Sequence, residues 1–262
     1  MGRDFKMTGE EVLLSKRIRE LADTAQRRGI VTFTDFLNLN EQNILHQTLQ
    51  KFSWIKGETF GGYEGAERQI AAFIPDAFYI PRDSDSISYP ISCIHILPRN
   101  IKFADRLSHR DILGALMHLG IDRSKTGDIA VCKDEAYLFC STPLAGLICT
   151  ELTKIRHTVV DCTVCDLQEF TYTPETKSIR GSVASVRLDA VMALAFQSSR
   201  SSLLSLIADG SVFVNGKLIT TNAYSLKEQD IISVRGFGRF RYIGELGGTK
   251  KGRHMIEIET YI

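Results

Sequence analysis

The sequence predicts an α+β chain in three parts. These are a mainly helical N-terminal region (1–80), a mixed βαββαβ domain (81–175) and a C-terminal module of two helices and a hairpin (181–262). Three observations carry this reading. Apolar residues recur at helical spacing near both ends of the chain, over 14–25 and again over 188–207. Between them, apolar runs of strand length alternate with two helical stretches. Asn215-Gly216 then separates two β-branched runs, which is the strongest short hairpin signal. At 262 residues the chain has length for two or three domains, each with its own core.

In the first region Thr8 and Glu11 read as a capping box ahead of the stripe Leu14, Ile18, Leu21 and Ala25, with Gly29 as the stop. A second helix is expected from Glu41 to Leu49 behind an Asn40 cap, and Phe52–Ile55 reads as a strand. Gly61-Gly62-Tyr63-Glu64-Gly65-Ala66-Glu67-Arg68 fits neither the dinucleotide fingerprint nor the Walker loop, so it reads as a strand-to-helix turn. Arg68 is a candidate secondary RNA contact. PRDSDSISYP (81–90), polar and bounded by prolines, is an inter-domain connection.

The middle region gives Ile91–Leu97 as a strand, then His109–Leu119 as a helix closed by Gly120. Strands Asp128–Cys132 and Ala136–Cys140 follow, joined at Lys133-Asp134-Glu135. Thr142-Pro143 opens a helix to about Lys154, with proline in its first turn, and His157–Cys165 closes the set. The order βαββαβ is that of ferredoxin-like domains. Tyr137 and Phe139 share one face of the third strand, where RNA-recognition domains place base-stacking aromatics. The glycines of that motif are missing, so both rings are expected to pack against the first region.

Enzyme signatures fail on inspection. His109-Arg110-Asp111 matches the kinase triplet, but Leu116 stands where an asparagine is required, and no glycine-rich phosphate loop precedes it. His109 and Arg110 are kept as candidate secondary RNA contacts. Arg187-Leu188-Asp189 is similar to the catalytic stretch of pseudouridine synthases, yet Ala190-Val191-Met192 continues a helix instead of turning. Of the six cysteines, Cys162 and Cys165 lie in a strand, where positions i and i+3 point to opposite faces. They read as small core residues, not as a zinc pair, and neither metal nor cofactor is expected. No apolar run approaches the roughly 20 residues that span a bilayer. MGRDFKMTGEE lacks the apolar core of a secretory signal, so the expectation is a cytoplasmic protein without a membrane partner.

In the C-terminal module Leu188, Val191, Met192, Ala195 and Phe196 form one helical stripe. Ser198 or Ser199 caps a second helix, which carries Leu203, Leu204 and Ile207 inward and ends at Gly210. Val212–Val214, Asn215-Gly216 and Lys217–Thr220 make the hairpin, and Ile231–Val234 a third strand. Charge is unevenly spread: residues 1–176 hold 20 Lys+Arg against 24 Asp+Glu, whereas 177–262 hold 12 against 7. A basic C-terminal third on a mildly acidic body is the footprint of a localised polyanion-binding surface. Arg200 falls in the first turn of its helix, where free N–H groups already favour a phosphate.

The module resembles the small RNA-binding domain first known from the fourth protein of the small ribosomal subunit, here the S-four-type domain. The matching residues are Arg187-Leu188-Asp189, Ser199-Arg200-Ser201, Gly210, Val214-Asn215-Gly216 and Asp230-Ile231. The whole chain is similar to the YlmH family of bacterial ribosome-associated proteins. That likeness rests on Gly61-Gly62-Tyr63 with Ala66-Glu67-Arg68, on HRDILGALMHLGIDRSKTGDI (109–129), on the stretch from Arg187 to Gly216, and on Arg235-Gly236-Phe237-Gly238-Arg239-Phe240. The sequence departs from the family pattern at Asn38–Asn40, where a proline is usual. The resemblance implies binding to the large ribosomal subunit, through ribosomal RNA and tRNA, when peptidyl-tRNA remains on it after stalling. The chain is expected to be a monomer and not an enzyme, an RNA-modifying enzyme targeted by the C-terminal module being the alternative. Expected phosphate contacts are Arg187, Arg200, Lys217, Arg235, Arg239 and Arg241, and the tip 247–253 adds Lys250 and Lys251. Ser199, Ser201, Ser202 and Asn215, with Gly216 in the turn, supply hydrogen bonds. Asp189 is read as structural.

Overall fold

The computed structural model describes residues 9–51, 56–75, 87–167, 170, 176–248 and 252–261. The chain divides into two compact units, Met1–Tyr172 and Thr173–Ile262.

The first unit begins with α1 (Gly9–Arg28), followed by β1 (Thr32–Leu37), α2 (Leu39–Lys51), β2 (Gly57–Phe60) and β3 (Gln69–Phe73). The α1 stripe is buried at Ile18, Ala22 and Ala25 against Leu37, Ile44, Leu45 and Phe73, and Gly29 ends the helix at φ +62°. The α2 cap is Asn38, not the expected Asn40. Asn38 Oδ1 accepts from Glu41 N at 3.0 Å while Glu41 Oε2 accepts from Asn38 N at 2.7 Å, so a capping box stands in the loop that departs from the family pattern. Asn40 instead donates to Glu11. Helix predominates here as expected, but a three-stranded antiparallel sheet in the order β1-β3-β2 accompanies it. Residues 61–68 are therefore a strand-to-strand turn, because Gln69–Phe73 pairs with both neighbours instead of coiling. Thr8, the Phe52–Ile55 strand and most of the 81–90 connection lie outside the described residues.

The unit continues with β4 (Ile91–Pro98), α3 (His109–His118), β5 (Thr126–Val131), β6 (Ala136–Ser141), α4 (Thr142–Glu151), β7 (Lys154–Ile155) and β8 (Thr158–Cys165). Its sheet has the order β5-β6-β4-β8-β7 with every pairing antiparallel. This is the ferredoxin-like arrangement with the short β7 added at one edge. Ile94, Ile96, Leu138 and Val160 face α3 and α4, meeting Ile112, Leu116, Ala145 and Ile148. Asp111 of the kinase-like triplet belongs to a capping box with Ser108 and starts α3.

The other face of this sheet is covered by the first three strands. Phe139 and Cys93 are fully buried with Phe36, Ile70 and Ile91, and Tyr63 packs on Phe139 with ring centroids 5.0 Å apart. Tyr137 stacks on His95 at 4.6 Å. Phe139 is thus spent on packing against the first region, as expected, whereas the Tyr137 ring packs on His95 and Phe170 instead. Gly62, at φ +102°, lies so close to Phe139 that an added Cβ would meet Cε1 at 2.7 Å. Polar groups close the contact. Asp128 accepts from Tyr63 Oη (2.8 Å), Glu67 N (2.7 Å) and Arg68 N (3.0 Å). Arg68 donates to the carbonyls of Thr126, Phe36 and Arg123. Burial draws the Arg68 pKa down, and burial aided by Arg68 draws Arg123 to about 10. Arg123 remains charged at neutral pH all the same. Cys162 and Cys165 point to opposite sides of β8, donating to the carbonyls of Leu152 and Cys93 respectively.

The second unit comprises β9 (Thr176–Val183), α5 (Leu188–Ala195), α6 (Arg200–Ala208), β10 (Val212–Val214), β11 (Lys217–Leu218), β12 (Ile231–Val234), β13 (Gly238–Gly248) and β14 (His254–Tyr261). Its six strands run in the order β11-β10-β12-β13-β14-β9. Residues 176–183, expected as the end of a polar linker and the start of the module, form a full edge strand paired along β14. One face of the sheet carries Val212, Val214, Ile232, Val234, Phe240, Tyr242, Ile256 and Ile258, packed on Leu188, Val191, Met192, Leu203 and Ile207 of the two helices. Asn215 (φ 48°) and Gly216 (φ 75°) make the left-handed pair that the tight hairpin requires.

Candidate nucleic-acid interface

The strongest cationic arrangement on the helix side is built around one acid. Asp189 lies in the first turn of α5, and its side chain is only 7% exposed. Arg200 donates to it at 2.7 Å, and Arg187, the N-cap residue of α5, places Nε 3.6 Å from its other oxygen. One carboxylate thus holds two half-exposed guanidiniums at one corner and leaves a net positive charge there. Arg200 spends one of its five N–H donors on Asp189, and Arg187 Nε is held there by charge with no hydrogen bond among the described residues, so both guanidiniums keep donors for a phosphate. The reading of Asp189 as structural stands, and the structure adds that it positions both arginines. Asp189→Ala is expected to destabilise this unit by about 1–3 kcal/mol, less than a fully buried pair because both arginines reach water. Urea unfolding would measure it, and an unchanged midpoint would contradict the clamp.

The serines extend this corner. Ser199 caps α6, its Oγ accepting from Ser202 N at 3.3 Å and lying 3.0 Å from Ser201 Oγ. Ser202 Oγ donates to the Ser199 carbonyl. Ser199 and Ser202 are therefore committed first to the helix start. Lys217 is exposed opposite Val214 and so lies on the helix side of the sheet.

Asn215 corrects the expectation. Its Nδ2 donates to Asp230 at 2.8 Å and its Oδ1 accepts from Ile231 N at 2.9 Å, so its amide is engaged in fixing the hairpin to β12. Arg68 is corrected likewise, since its guanidinium is consumed by three carbonyls inside the first unit. His109 and Arg110 are exposed in the first turn of α3.

The remaining arginines form a separate set. Arg239 and Arg241 alternate with the buried Phe240 and Tyr242, so they lie on the face turned away from the helices. The Arg239 guanidinium sits 4.2 Å from the Tyr261 ring centroid. Arg235 sits 5.2 Å from that of Phe213, which is only 1% exposed although it points away from the main core. Arg241 Nε is buried without a hydrogen bond among the described residues. Acids share this face. Arg180 donates to Glu257 at 3.0 Å, and Ser178 with Arg180 holds that carboxyl below its usual value. Glu259 stands opposite Arg241. The six predicted phosphate contacts therefore do not make one continuous surface: the helix side holds Arg187, Arg200 and Lys217, and the far face holds Arg235, Arg239 and Arg241. Lys250 and Lys251 lie outside the described residues. Arg180 was missed by sequence reasoning, because nothing local marks 176–183 as part of this sheet.

Two helices, a left-handed Asn-Gly hairpin and a paired-arginine corner define the second unit as an RNA-binding module of the S4 type. Residues 186–232 match the family model described as "S4 domain". Residues 10–76 match "YlmH, N-terminal", and residues 85–169 match "Putative RNA-binding domain in YlmH". The chain is 33% identical over 239 residues, 89% of each chain, to "Ribosome-associated protein quality control protein P2" of Bacillus subtilis (strain 168). The protein belongs to the YlmH family. Its fold is also that of "Cell division protein ylmH from Streptococcus pneumoniae", with a TM-score of 0.50 and 22% identity over 65% of this chain and all of that one. No helix among the described residues is long and apolar enough to cross a membrane.

Proposed function

We propose that the protein associates with the large ribosomal subunit and grips ribosomal RNA, tRNA or both during rescue of subunits that carry stalled peptidyl-tRNA. The observation that carries this reading is the corner where Asp189 holds Arg187 and Arg200 at the start of α5 and α6. The likeness to the Bacillus subtilis relative, named a ribosome-associated protein quality control protein, supports the setting. Arg187, Arg200 and Lys217 take phosphates on the helix side, with Ser201 as a neutral donor. Arg235, Arg239 and Arg241 take a second stretch of backbone on the far face. The protein works as a three-domain monomer in the cytoplasm and catalyses no reaction.

The test is binding to large subunits as a function of salt. With about five phosphates engaged the logarithmic slope is expected near −4, roughly a 250-fold loss between 50 and 200 mM. Arg200→Ala/Lys217→Ala is expected to reduce the slope by about 2, since each lost phosphate contact removes about 0.9. A flat salt response, or unchanged binding by that double variant, would overturn the assignment. Arg239→Ala/Arg241→Ala measures the share of the far face separately.

A further inference from the structure

The ferredoxin-like domain has lost the surface through which its fold often meets RNA, because β1–β3 cover Phe139 and Cys93. A different surface lies in the β4–α3 connection, residues 99–108 (RNIKFADRLS). There Phe103 is 83% exposed and Ile101 59%. An aromatic ring so placed gains nothing from folding, since almost none of its area leaves water. The loop that presents it is nonetheless braced. Asn100 caps a short 3-10 turn by accepting from Lys102 N at 3.2 Å. Asp105 N donates to Thr158 Oγ1 at 2.8 Å, and His157 N donates to Asp105 Oδ2 at 3.4 Å.

Behind this loop lies a cavity of about 350 Å³ with an apolar floor that includes Ile96, Leu107, Val131 and Ala136. Arg106, Lys133, Asp105, Asp134 and Glu135 line it too, whereas Lys102 and Phe103 stand outside the lining in the same loop. The Glu135 oxygens are engaged by His95 (2.8 Å) and Tyr137 (3.2 Å). Arg99 is paired with Asp161 at 2.6 Å. That leaves Lys102 and Arg106 on either side of Phe103 in the loop and Lys133 on the β5–β6 turn. An apolar side chain in this cavity would desolvate the cations and carboxylates around it without pairing them. A nucleotide satisfies each group. Its ring stacks on an aromatic face, its amino-bearing edge donates to a carboxylate, and its phosphates meet Lys and Arg.

We propose that the β4–α3 loop and the cavity behind it bind an unpaired nucleotide of single-stranded RNA. Phe103 supplies the stacking face, Asp105 and Asp134 accept from the base edge, and Lys102, Arg106 and Lys133 hold the phosphates. This site lies in the first unit and does not depend on the S4 module.

The test uses the full chain and single-stranded, mixed-sequence oligoribonucleotides carrying 4-thiouridine. To separate the two sites it is run in the Arg200→Ala/Lys217→Ala/Arg239→Ala/Arg241→Ala background, which removes cations from both faces of the second unit. Residual RNA binding is expected there, with photo-adducts on the tryptic peptide spanning residues 103–106. Adding Phe103→Ala is expected to weaken that binding about five- to hundredfold, the loss of one stacked base. Phe103 is too exposed for its removal to threaten the fold, and Arg106→Glu gives an independent second variant. The proposal is overturned if both variants leave binding unchanged, or if adducts map only to the second unit, in which case the S4 reading still stands. Adducts at 103–106 that Phe103→Ala abolishes would support it even if the helix-side corner proved inert.

Discussion

Replacing Gly62 with alanine is expected to destabilise the first unit by about 2–5 kcal/mol and to lower its melting temperature by roughly 10 °C. Two costs act together. Gly62 sits at φ +102°, a conformation that residues with a side chain rarely adopt. Its new methyl group would also lie 2.7 Å from Phe139 Cε1, and Phe139 is fully buried in the contact between the two sheets. The ring cannot yield, because Tyr63 and Phe170 pack against it, with centroids 5.0 and 4.9 Å away. Thermal unfolding by circular dichroism measures the loss. Binding of a hydrophobic dye below the transition would show that β1–β3 separate from the ferredoxin-like sheet first. A melting temperature within a degree of the parent would refute the account.

The second large effect is expected at Asp128. Its carboxylate accepts three donors from the turn between β2 and β3: the Tyr63 hydroxyl and the backbone N–H groups of Glu67 and Arg68. Asp128→Ala leaves all three without that acceptor. At about 1 kcal/mol for each of the two part-buried donors and less for the exposed Glu67 N–H, the loss is about 2–3 kcal/mol. It also removes a negative charge beside Arg68 and Arg123, both of which burial already disfavours in charged form. Asp128→Asn is expected to rescue part of this loss, because its carbonyl can still accept from Tyr63 and Glu67 while its NH2 group faces the Arg68 N–H with a donor. Guanidinium unfolding followed by linear extrapolation separates the three proteins. Equal midpoints for parent and Asp128→Asn would show that charge and acceptor count are irrelevant here.

What the sequence discloses depends on how local the signal is. The hairpin at Asn215-Gly216, the α6 cap at Ser199 and the stop at Gly210 are each decided within four residues, and all three appear where expected. The α3 and α4 helices of the ferredoxin-like domain were legible for the same reason. By contrast, Gln69–Phe73 is a short apolar run with no period of its own, and only pairing with β1 and β2 makes it a strand. Arg68 looked available because its charge is local knowledge, whereas the three carbonyls that consume it lie 32 to 58 residues away. Period two established that Arg239 and Arg241 share a face, but not which face. That was settled by Phe240 and Tyr242 facing the helices. Asn215 carried a turn signal and was also read as an RNA contact. Its amide's commitment to Asp230, fifteen residues on, is invisible without the fold.

The pairing of β9 with β14 bears on how the protein is made. Thr176 stands opposite Tyr261 and Val183 opposite His254, so the first strand of the second unit waits for the last one synthesised. Until residues 254–261 have left the ribosome, β9 has no partner and β13 has an open edge, a surface prone to stray pairing. The loop that must close is long, and contacts of such range form late. The second unit is therefore expected to complete its sheet only after residues 254–261 have left the ribosome. Until then the nascent chain offers helices and a hairpin on an unfinished scaffold.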